Sequence, residues 1–381
     1  MSARHNLTAA FAGAAATCAG NGIARFAFVP LFPALVSAGW VSGAEAGALG
    51  AANLAGYLLG ALGGPMAGRR LGTRNAMGAG MAMLVASLLL CALPGGALWL
   101  LPWRFLAGIG AGVLMSLAGP AAQRAAPPSL RGRASGIVMS GVAIGIGAGA
   151  LAVPALLVLG PSAAWLGLAA LVAGLWFFAQ PRFPADPGGR SPGGRPPLMP
   201  FLLLAYTLSG AGLVPHMIYL ADYAARGFGL GVTVGSGIWL LFGIGGLTGT
   251  MLGGWAADRI GGPVSARLWL GVQVAALGLA LVPWWPALLL SALAAGFAAV
   301  GISAVTLAWA REVAGPAAGI LWVRATVGFA VAQAASGFGF AAVFGATGES
   351  HHAVFLGGLF FSVLGLAATL APHHAGARRE A

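Results

Sequence analysis

Long apolar stretches, separated by short groups rich in Gly, Pro and polar residues, recur along the whole chain. A helix needs ~20 predominantly apolar residues to cross the hydrocarbon core of a bilayer, and each stretch is close to that length or longer. The pattern therefore predicts an all-α membrane protein with twelve transmembrane helices. These spans lie at 7–34, 46–67, 75–95, 98–122, 134–158, 162–180, 199–222, 235–256, 267–283, 286–309, 317–343 and 352–371.

Composition agrees with a membrane protein and excludes a nucleic-acid partner. Apolar residues make up 59% of the chain and charged residues only 7%, whereas soluble domains carry about 25% charged residues. The net charge of +12 is typical of a nucleic-acid-binding protein when it forms one patch. Here the arginines are scattered over short loops between spans. The first stretch is too long for a cleaved signal peptide, so we expect a retained helix.

One polar stretch, from Pro181 to Pro197, is rich in Pro, Gly and Arg and has no apolar periodicity, which predicts an extended or flexible linker. We expect an amino-terminal bundle over 1–180, a cytoplasmic linker over 181–198 and a carboxy-terminal bundle over 199–381. The two sets of six spans are weakly alike, for example at Gly20-Asn21-Gly22 and Gly210-Ala211-Gly212. Duplicated halves are typical of secondary transporters, whose binding site lies between them.

The distribution of arginine predicts the orientation. If the amino terminus is inside, 15 of the 19 basic residues fall in inner segments, among them Arg4, Arg190, Arg195, Arg378 and Arg379. This asymmetry predicts cytoplasmic termini. The absence of Lys and the 64 Gly are typical of a GC-rich bacterial genome, so we expect the bacterial inner membrane.

Three arginines, Arg25, Arg104 and Arg324, lie within predicted spans, and the span of Arg25 contains no acidic residue. A guanidinium at membrane depth costs at least ~2.5 kcal/mol, so it rarely faces lipid. We expect Arg25 to face a polar cavity that an anionic or dipolar solute enters. Thr17, Asn21 and Arg25 recur every four residues and would form one polar stripe on a helix.

Other polar residues are placed by the same spacing. Asn53 and Tyr57 share a face of the second span, and His216 and Tyr219 lie along the seventh. Each alone could equally join helices without touching a solute. The predicted substrate-binding residues are Asn21, Arg25, Asn53, Tyr57, His216, Tyr219 and Arg324.

No Asp or Glu lies in the middle of a predicted span. A cation exporter would be expected to hold a buried carboxylate. The field of the predicted arginines favours anions such as carboxylates instead. If transport is coupled to protons, Asp222 and His216 are the candidates from the residues themselves.

Two motifs resemble those of the major facilitator superfamily. The segment from Gly254 to Gly261 resembles G-x-x-x-D-R-x-G, which implies a conformational latch built from Gly254, Asp258, Arg259 and Gly261. In the corresponding loop of the first half, Arg69 stands where the Asp is expected.

The second motif, from Arg104 to Gly112, resembles R-x-x-x-G-x-G, and the spacing of Gly108, Gly112 and Ser116 predicts a nearly flat face for close helix packing. In proton-coupled members of the superfamily this arginine is implicated in proton exchange. A structural arginine bonded to backbone carbonyls is the alternative. Arg104 joins Asp222 and His216 as a candidate for proton coupling.

The opening run Gly22-Ile23-Ala24-Arg25-Phe26-Ala27-Phe28, with the segment Gly50–Tyr57, resembles the YbfB/YjiJ-type branch of this superfamily. The resemblance implies the two-bundle fold and secondary transport by alternating access, usually as a monomer. We expect a small organic anion or zwitterion as the solute, with the lipid bilayer as surroundings and no cofactor or metal. The alternative is a broad exporter of drugs or metabolites. The sequence contains no nucleophile motif or ligand cluster of an enzyme, and a sensor without transport activity is left open.

Overall fold

The computed structural model describes residues 7–185 and 199–370, and every regular element in these ranges is helical. Twelve helices or helix combinations are long and apolar enough to cross a membrane. The first combines α1 and α2, which are joined by a π-helical segment, Cys18–Arg25. The helices are α1 (Thr8–Thr17), α2 (Phe28–Ser37), α3 (Gly43–Leu71), α4 (Thr73–Cys91), α5 (Gly96–Ala125), α6 (Arg131–Leu157), α7 (Pro161–Ala179), α8 (Pro200–Asp222), α9 (Gly231–Ile260), α10 (Gly262–Ala280), α11 (Ala287–Ala314), α12 (Ala318–Ala346) and α13 (His351–Ala368).

The prediction of an all-helical protein with twelve spans is confirmed, and most helices are longer than the spans. For example, α9 covers Gly231–Ile260 instead of 235–256, and α3 begins at Gly43 because Ser42 and Glu45 form a capping box. Hydropathy reports the part of a helix that lies in hydrocarbon, whereas the hydrogen bonding of the helix continues into its polar ends.

The π-helical segment was not predicted. Its wider turn is closed by a hydrogen bond from the Phe26 N–H to the Asn21 carbonyl, at 3.3 Å. The segment includes Gly20 and Gly22, which favour the helical geometry only weakly. Such insertions change the angular spacing of side chains and are frequent at functional sites.

Close packing of α5 on α3 follows the predicted flat face. A Cβ atom on Gly108 would lie 2.2 Å from the Asn53 carbonyl oxygen, and one on Gly112 would lie 2.3 Å from that of Tyr57. Any larger residue at either position would therefore push the two backbones apart. This contact fixes the height and rotation of α3, and with them Asn53 and Tyr57.

Helix pairings repeat between residues 7–185, the amino-terminal half, and residues 199–370, the carboxy-terminal half. The pairs α3–α5 and α4–α7 of the first half correspond to α9–α11 and α10–α13 of the second. The halves meet where α3 packs on α12, α6 on α9 and α2 on α8. The predicted linker is described only as far as residue 185. The remainder of the linker and both chain ends, with Arg4, Arg190, Arg195, Arg378 and Arg379, lie outside the described residues.

The ends of the helices form two faces of the molecule. The arginine-rich face is formed by the helix ends that carry Arg69, Arg70, Arg124 and Arg311. The opposite face is formed by the helix ends near Gly43, Arg226 and Glu349.

Candidate functional site

A cavity of about 430 Å³ lies between the two halves. It begins near the middle of the helices at Arg25 and extends to residues close to the arginine-rich ends of α5, α11 and α12. Its volume is in the range of small-molecule sites. The cavity is lined by Asn21, Arg25, Phe26, Tyr57, Met115, Met139, Val142, Ile146, Tyr206, Leu213, Met217, Phe242, Thr250, Ala299, Val300, Ser303, Ala304, Leu307, Trp322, Thr326, Phe329, Ala330 and Gln333.

Arg25 is the one charged residue among the described residues of this wall. The π-helical segment carries it into the interior, where it is 9% exposed. Its Cζ atom lies 4.5 Å from the centre of the Tyr57 ring and 4.9 Å from that of Phe26. No carboxylate of the described residues forms an ion pair with it, and its Nε has no hydrogen-bond partner there. The aromatic faces reduce the cost of the buried charge without neutralising it.

Gln333 of α12 is the hydrogen-bond partner that Arg25 has in the other half. The Arg25 Nη2 atom donates to the Gln333 Oε1 atom at 3.2 Å, and the Gln333 amide lies 3.1 Å from the Met217 sulfur. This hydrogen bond joins the two halves across the cavity. Sequence reasoning missed Gln333. The sequence feature that could have identified Gln333 is an amide side chain within an apolar span. Gln273 has the same feature, but its side chain is buried inside the carboxy-terminal half.

Aromatic side chains form the wall between Gln333 and the arginine-rich face. The Tyr206 ring stacks on Phe329 with centroids 4.5 Å apart, and Trp322 lies 5.6 Å away. The Tyr206 and Ser303 hydroxyl groups are hydrogen-bonded at 2.8 Å. This wall was also missed, because aromatic residues in apolar spans do not differ in sequence from those that face lipid.

The predicted polar stripe of the first span is divided by the π-helical segment. Asn21 and Arg25 both line the cavity, and the buried Asn21 Oδ1 atom lacks a partner among the described residues. Thr17 instead donates to the Val138 carbonyl of α6 at 2.6 Å. The prediction assumed the four-residue spacing of an α-helix, which a wider π turn does not keep.

Arg104 and Asn53 lie behind the cavity, inside the amino-terminal half. The Arg104 Nη1 atom donates to the Ala24 carbonyl at 2.7 Å, and its Cζ atom lies 4.3 Å from the centre of the Phe28 ring. Asn53 donates to the Arg104 carbonyl at 3.0 Å. This geometry matches a structural arginine bonded to backbone carbonyls, and the predicted role in proton coupling stays a prediction.

A void of about 10 Å³ separates Arg25 from Asn53 and Arg104, close to the size of one water molecule. Buried Arg104 Nε and Nη2 atoms and the Asn53 Oδ1 atom lack protein partners among the described residues. A water molecule that accepts from the Arg104 guanidinium and donates to the Asn53 Oδ1 atom would satisfy these buried groups.

Three further predicted residues do not lie on the wall of this cavity, and their role in substrate binding stays a prediction. His216 is buried in the carboxy-terminal half, with its Nε2 atom 2.8 Å from the Ser291 hydroxyl. Tyr219 packs between Phe32 and Phe344 where the opposite face is closed. Arg324 is exposed. All three lie in spans whose cavity-facing side cannot be chosen from the sequence of one span.

Asp222 also lies away from the cavity, at the end of α8 near the opposite face. Both of its oxygen atoms accept from Arg226, at 2.6 and 2.7 Å, and one also lies 2.7 Å from the His351 Nε2 atom. Its part in proton coupling stays a prediction.

The latch motif occupies the arginine-rich end of α9. Asp258 is exposed and makes no hydrogen bond to the described part of the chain, Arg259 lies 4.5 Å from the Trp255 ring centre, and Gly254 and Gly261 flank them in sequence. Glu312 instead accepts from the N–H of Gly262, the first residue of α10, at 2.5 Å. Asp258 is thus unengaged in this conformation, and its role as a latch stays a prediction.

Comparison with known proteins identifies the family. The family described as "Uncharacterised MFS-type transporter YbfB" matches residues 17–370. No relative is found among curated proteins.

Several solved transporters share the fold. The nucleoside transporter NupG is 14% identical with a TM-score of 0.77, covering 96% of this chain and 99% of its own. A POT family transporter in complex with 5-aminolevulinic acid is 11% identical with a TM-score of 0.76, covering 96% and 95%. The human organic anion transporter MFSD10 is 18% identical with a TM-score of 0.66, covering 97% and 100%. At these identities the likeness shows the fold alone.

Proposed function

The chain belongs to the YbfB-type family of the major facilitator superfamily and is a non-enzymatic secondary transporter. We propose that its solute is a small organic anion with an apolar body. The observation that supports the proposal most is Arg25. It is a buried cation at the closed end of the cavity, and its polar partner there is the neutral amide of Gln333.

Electrostatics favour an anionic solute. A buried charge without a partner of opposite sign is costly, and a carboxylate beside a guanidinium forms short, charge-assisted hydrogen bonds in a fixed geometry. A carboxylate of the solute would displace Gln333 from the Arg25 Nη2 atom. A cationic solute would meet the same field with the wrong sign. A zwitterion would need an acceptor for its ammonium group, for which the Asn21 Oδ1 atom is available.

The rest of the wall supports an apolar body on the solute. Between Arg25 and the arginine-rich face the cavity is lined mainly by aromatic, aliphatic and Met side chains. The aromatic faces of Tyr206, Trp322 and Phe329 would pack on a flat or branched hydrocarbon group. One charged end and one apolar body together describe the proposed solute.

The apolar wall also supports the second candidate, a broad exporter of drugs or metabolites. Met115, Met139 and Met217 line the cavity, and flexible Met side chains adapt to solutes of different shape. The two candidates differ in whether Arg25 is needed for binding.

We further propose that the arginine-rich face is cytoplasmic, as the positive-inside rule predicts, in a bacterial inner membrane with both termini inside. The cavity then opens to the cytoplasm, and its solute exchanges with that side in this conformation. Since one chain supplies both halves, a monomer is a complete transport unit. Proton coupling remains part of the proposal.

A matched series of ligands tests the proposed solute. Phenylacetate, phenylacetamide and phenethylamine share one apolar body and differ in charge, and each is added to the detergent-purified protein in a thermal-stability assay. A ligand that binds the folded state raises the melting temperature by mass action. We expect phenylacetate to stabilise the wild type more than the other two, and Arg25→Ala to lose the difference.

The control variant is Arg324→Ala, which removes an exposed arginine outside the cavity and should respond as the wild type does. Equal responses to all three ligands, or an unchanged preference in Arg25→Ala, would favour the broad exporter. The preferred ligand class would then be followed as flux into proteoliposomes.

A further inference from the structure

A network of charged side chains lies at the opposite face. Asp222 holds Arg226 through two hydrogen bonds of 2.6 and 2.7 Å, and Arg226 in turn donates to the Glu349 Oε2 atom at 2.7 Å. His351 contacts Asp222 at 2.7 Å and stacks on the Tyr223 ring. All five residues belong to the carboxy-terminal half, and Asp222 and His351 are buried. This network of hydrogen bonds therefore holds Glu349 in a defined position just after the end of α12.

Glu349 uses its other oxygen atom to reach the amino-terminal half. The backbone N–H of Gly43, the first residue of α3, donates to the Glu349 Oε1 atom at 2.6 Å. The first N–H groups of a helix have no partner within it, and the helix dipole favours a negative charge at that end. Glu349 thus caps a helix of the other half.

The local backbone conformation places the Glu349 side chain for this contact. Glu349 is the one non-glycine residue with a positive φ among the described residues, at 64°, and follows Gly348 at 65°. Residues other than glycine rarely adopt a positive φ, because this conformation costs free energy. It persists where surrounding contacts hold it in place. On the other side, a Cβ atom at Gly43 would lie 2.5 Å from the Glu349 carboxylate. A larger residue at 43 would displace the carboxylate from this position.

From these contacts we propose that Glu349 is the gating residue of the opposite face, and that its cap on α3 stabilises the conformation in which this face is closed. The cavity can open to the opposite face only when α3 and α12 separate there, and separation breaks the hydrogen bond between Glu349 and Gly43. Loss of the cap therefore shifts the conformational equilibrium toward opening. This inference does not depend on the solute or on Arg25.

Glu45 provides a matched control for the substitution of Glu349. Its carboxylate lies at the same helix end and accepts from the Ser42 N–H at 2.7 Å. It belongs to the same half as α3. Glu45→Gln therefore weakens a cap on α3 without removing a contact between halves, whereas Glu349→Gln weakens the contact between halves.

Cysteine accessibility measures the opening. The native Cys18 and Cys91 are replaced by alanine, and one reporter cysteine is introduced. Ala341→Cys is buried on α12 against Gly47 of α3, on the side of the opposite face, and Ala304→Cys lies on the wall of the open cavity. The rate of reaction with a water-soluble maleimide is measured in detergent for each reporter, alone and combined with Glu349→Gln or Glu45→Gln.

We expect Glu349→Gln to accelerate labelling of Ala341→Cys by about fivefold, since losing one charged cap is worth roughly a factor of five to ten in an equilibrium. Glu45→Gln should leave that rate within about twofold, and Ala304→Cys should not react faster in either variant. An unchanged Ala341→Cys rate in Glu349→Gln, or equal acceleration by Glu45→Gln, would overturn the proposal. Acceleration at both reporters would also overturn it, because that result indicates general loosening.

Discussion

Arg25 and Arg104 are both buried in the amino-terminal half, and neither forms an ion pair with a carboxylate of the described residues. Their surroundings differ. Arg104 is enclosed between the rings of Phe28 and Trp165 and donates to the Ala24 carbonyl. Arg25 lies on the cavity wall, and its hydrogen-bond partner, Gln333, comes from the other half.

The kind of partner decides whether an arginine is available to a solute. A backbone carbonyl and two packed rings are fixed parts of the same half, so Arg104 keeps its partners in every conformation that preserves that half. Gln333 moves with the other half and can be replaced by a solute. The partner of Arg104 is moreover the residue next to Arg25, so Arg104 positions the segment that carries Arg25.

The largest effect is expected from Arg25→Ala. The variant loses the charge that would pair with a carboxylate, and we expect carboxylate affinity to fall about 100-fold, or ~2.7 kcal/mol. The melting temperature without ligand should not fall, because an uncompensated buried charge is removed. Ligand titration and thermal unfolding check both statements. If the variant retains its affinity for the carboxylate, Arg25 is no more available to the solute than Arg104 is.

The main effect of Arg104→Ala should be a loss of folding stability. It leaves the Ala24 carbonyl without its donor and a hole between two rings, which costs on the order of 3 kcal/mol. We expect a clear fall in melting temperature, and about tenfold weaker carboxylate binding because Arg25 is less well positioned. If binding is lost while the melting temperature is unchanged, Arg104 contacts the solute itself.

Gln333→Ala should have a smaller effect of opposite sign on binding. If Gln333 only occupies Arg25 until a solute arrives, its removal eliminates a competitor worth ~0.5–1 kcal/mol. Carboxylate affinity should then rise about threefold in the same titration. A fall in affinity would mean that the Gln333 amide itself binds the solute.

The smallest effect is expected from Arg324→Ala, because Arg324 is exposed and contributes to neither buried environment. Affinity should stay within about twofold of the wild type, and the melting temperature should be unchanged. A large loss of affinity would show that burial in this conformation is the wrong criterion for choosing between arginines.

The sequence was informative about some parts of the site and silent about others. Arg25 was found because a charge in an apolar span is costly wherever the helix packs. Close helix packing at Gly108 and Gly112 was predicted because small residues four apart lie on one face of any α-helix, but its partner, α3, was not. Gln333 was missed, and His216 does not line the cavity of this conformation, since a polar group in one span can face the cavity or a neighbouring helix.

Two features could be predicted without the structure: the twelve spans, and a buried cation without a buried carboxylate near it. These are local properties: hydropathy sums over one segment, and the cost of a charge in hydrocarbon needs no knowledge of its neighbours. The tertiary structure was needed to show that Thr17 leaves the polar stripe, because a π turn changes the register of the first span. It alone decided that Gln333 meets Arg25 and that Glu349 caps α3, because both contacts join residues about 300 positions apart and depend on how the two halves pack.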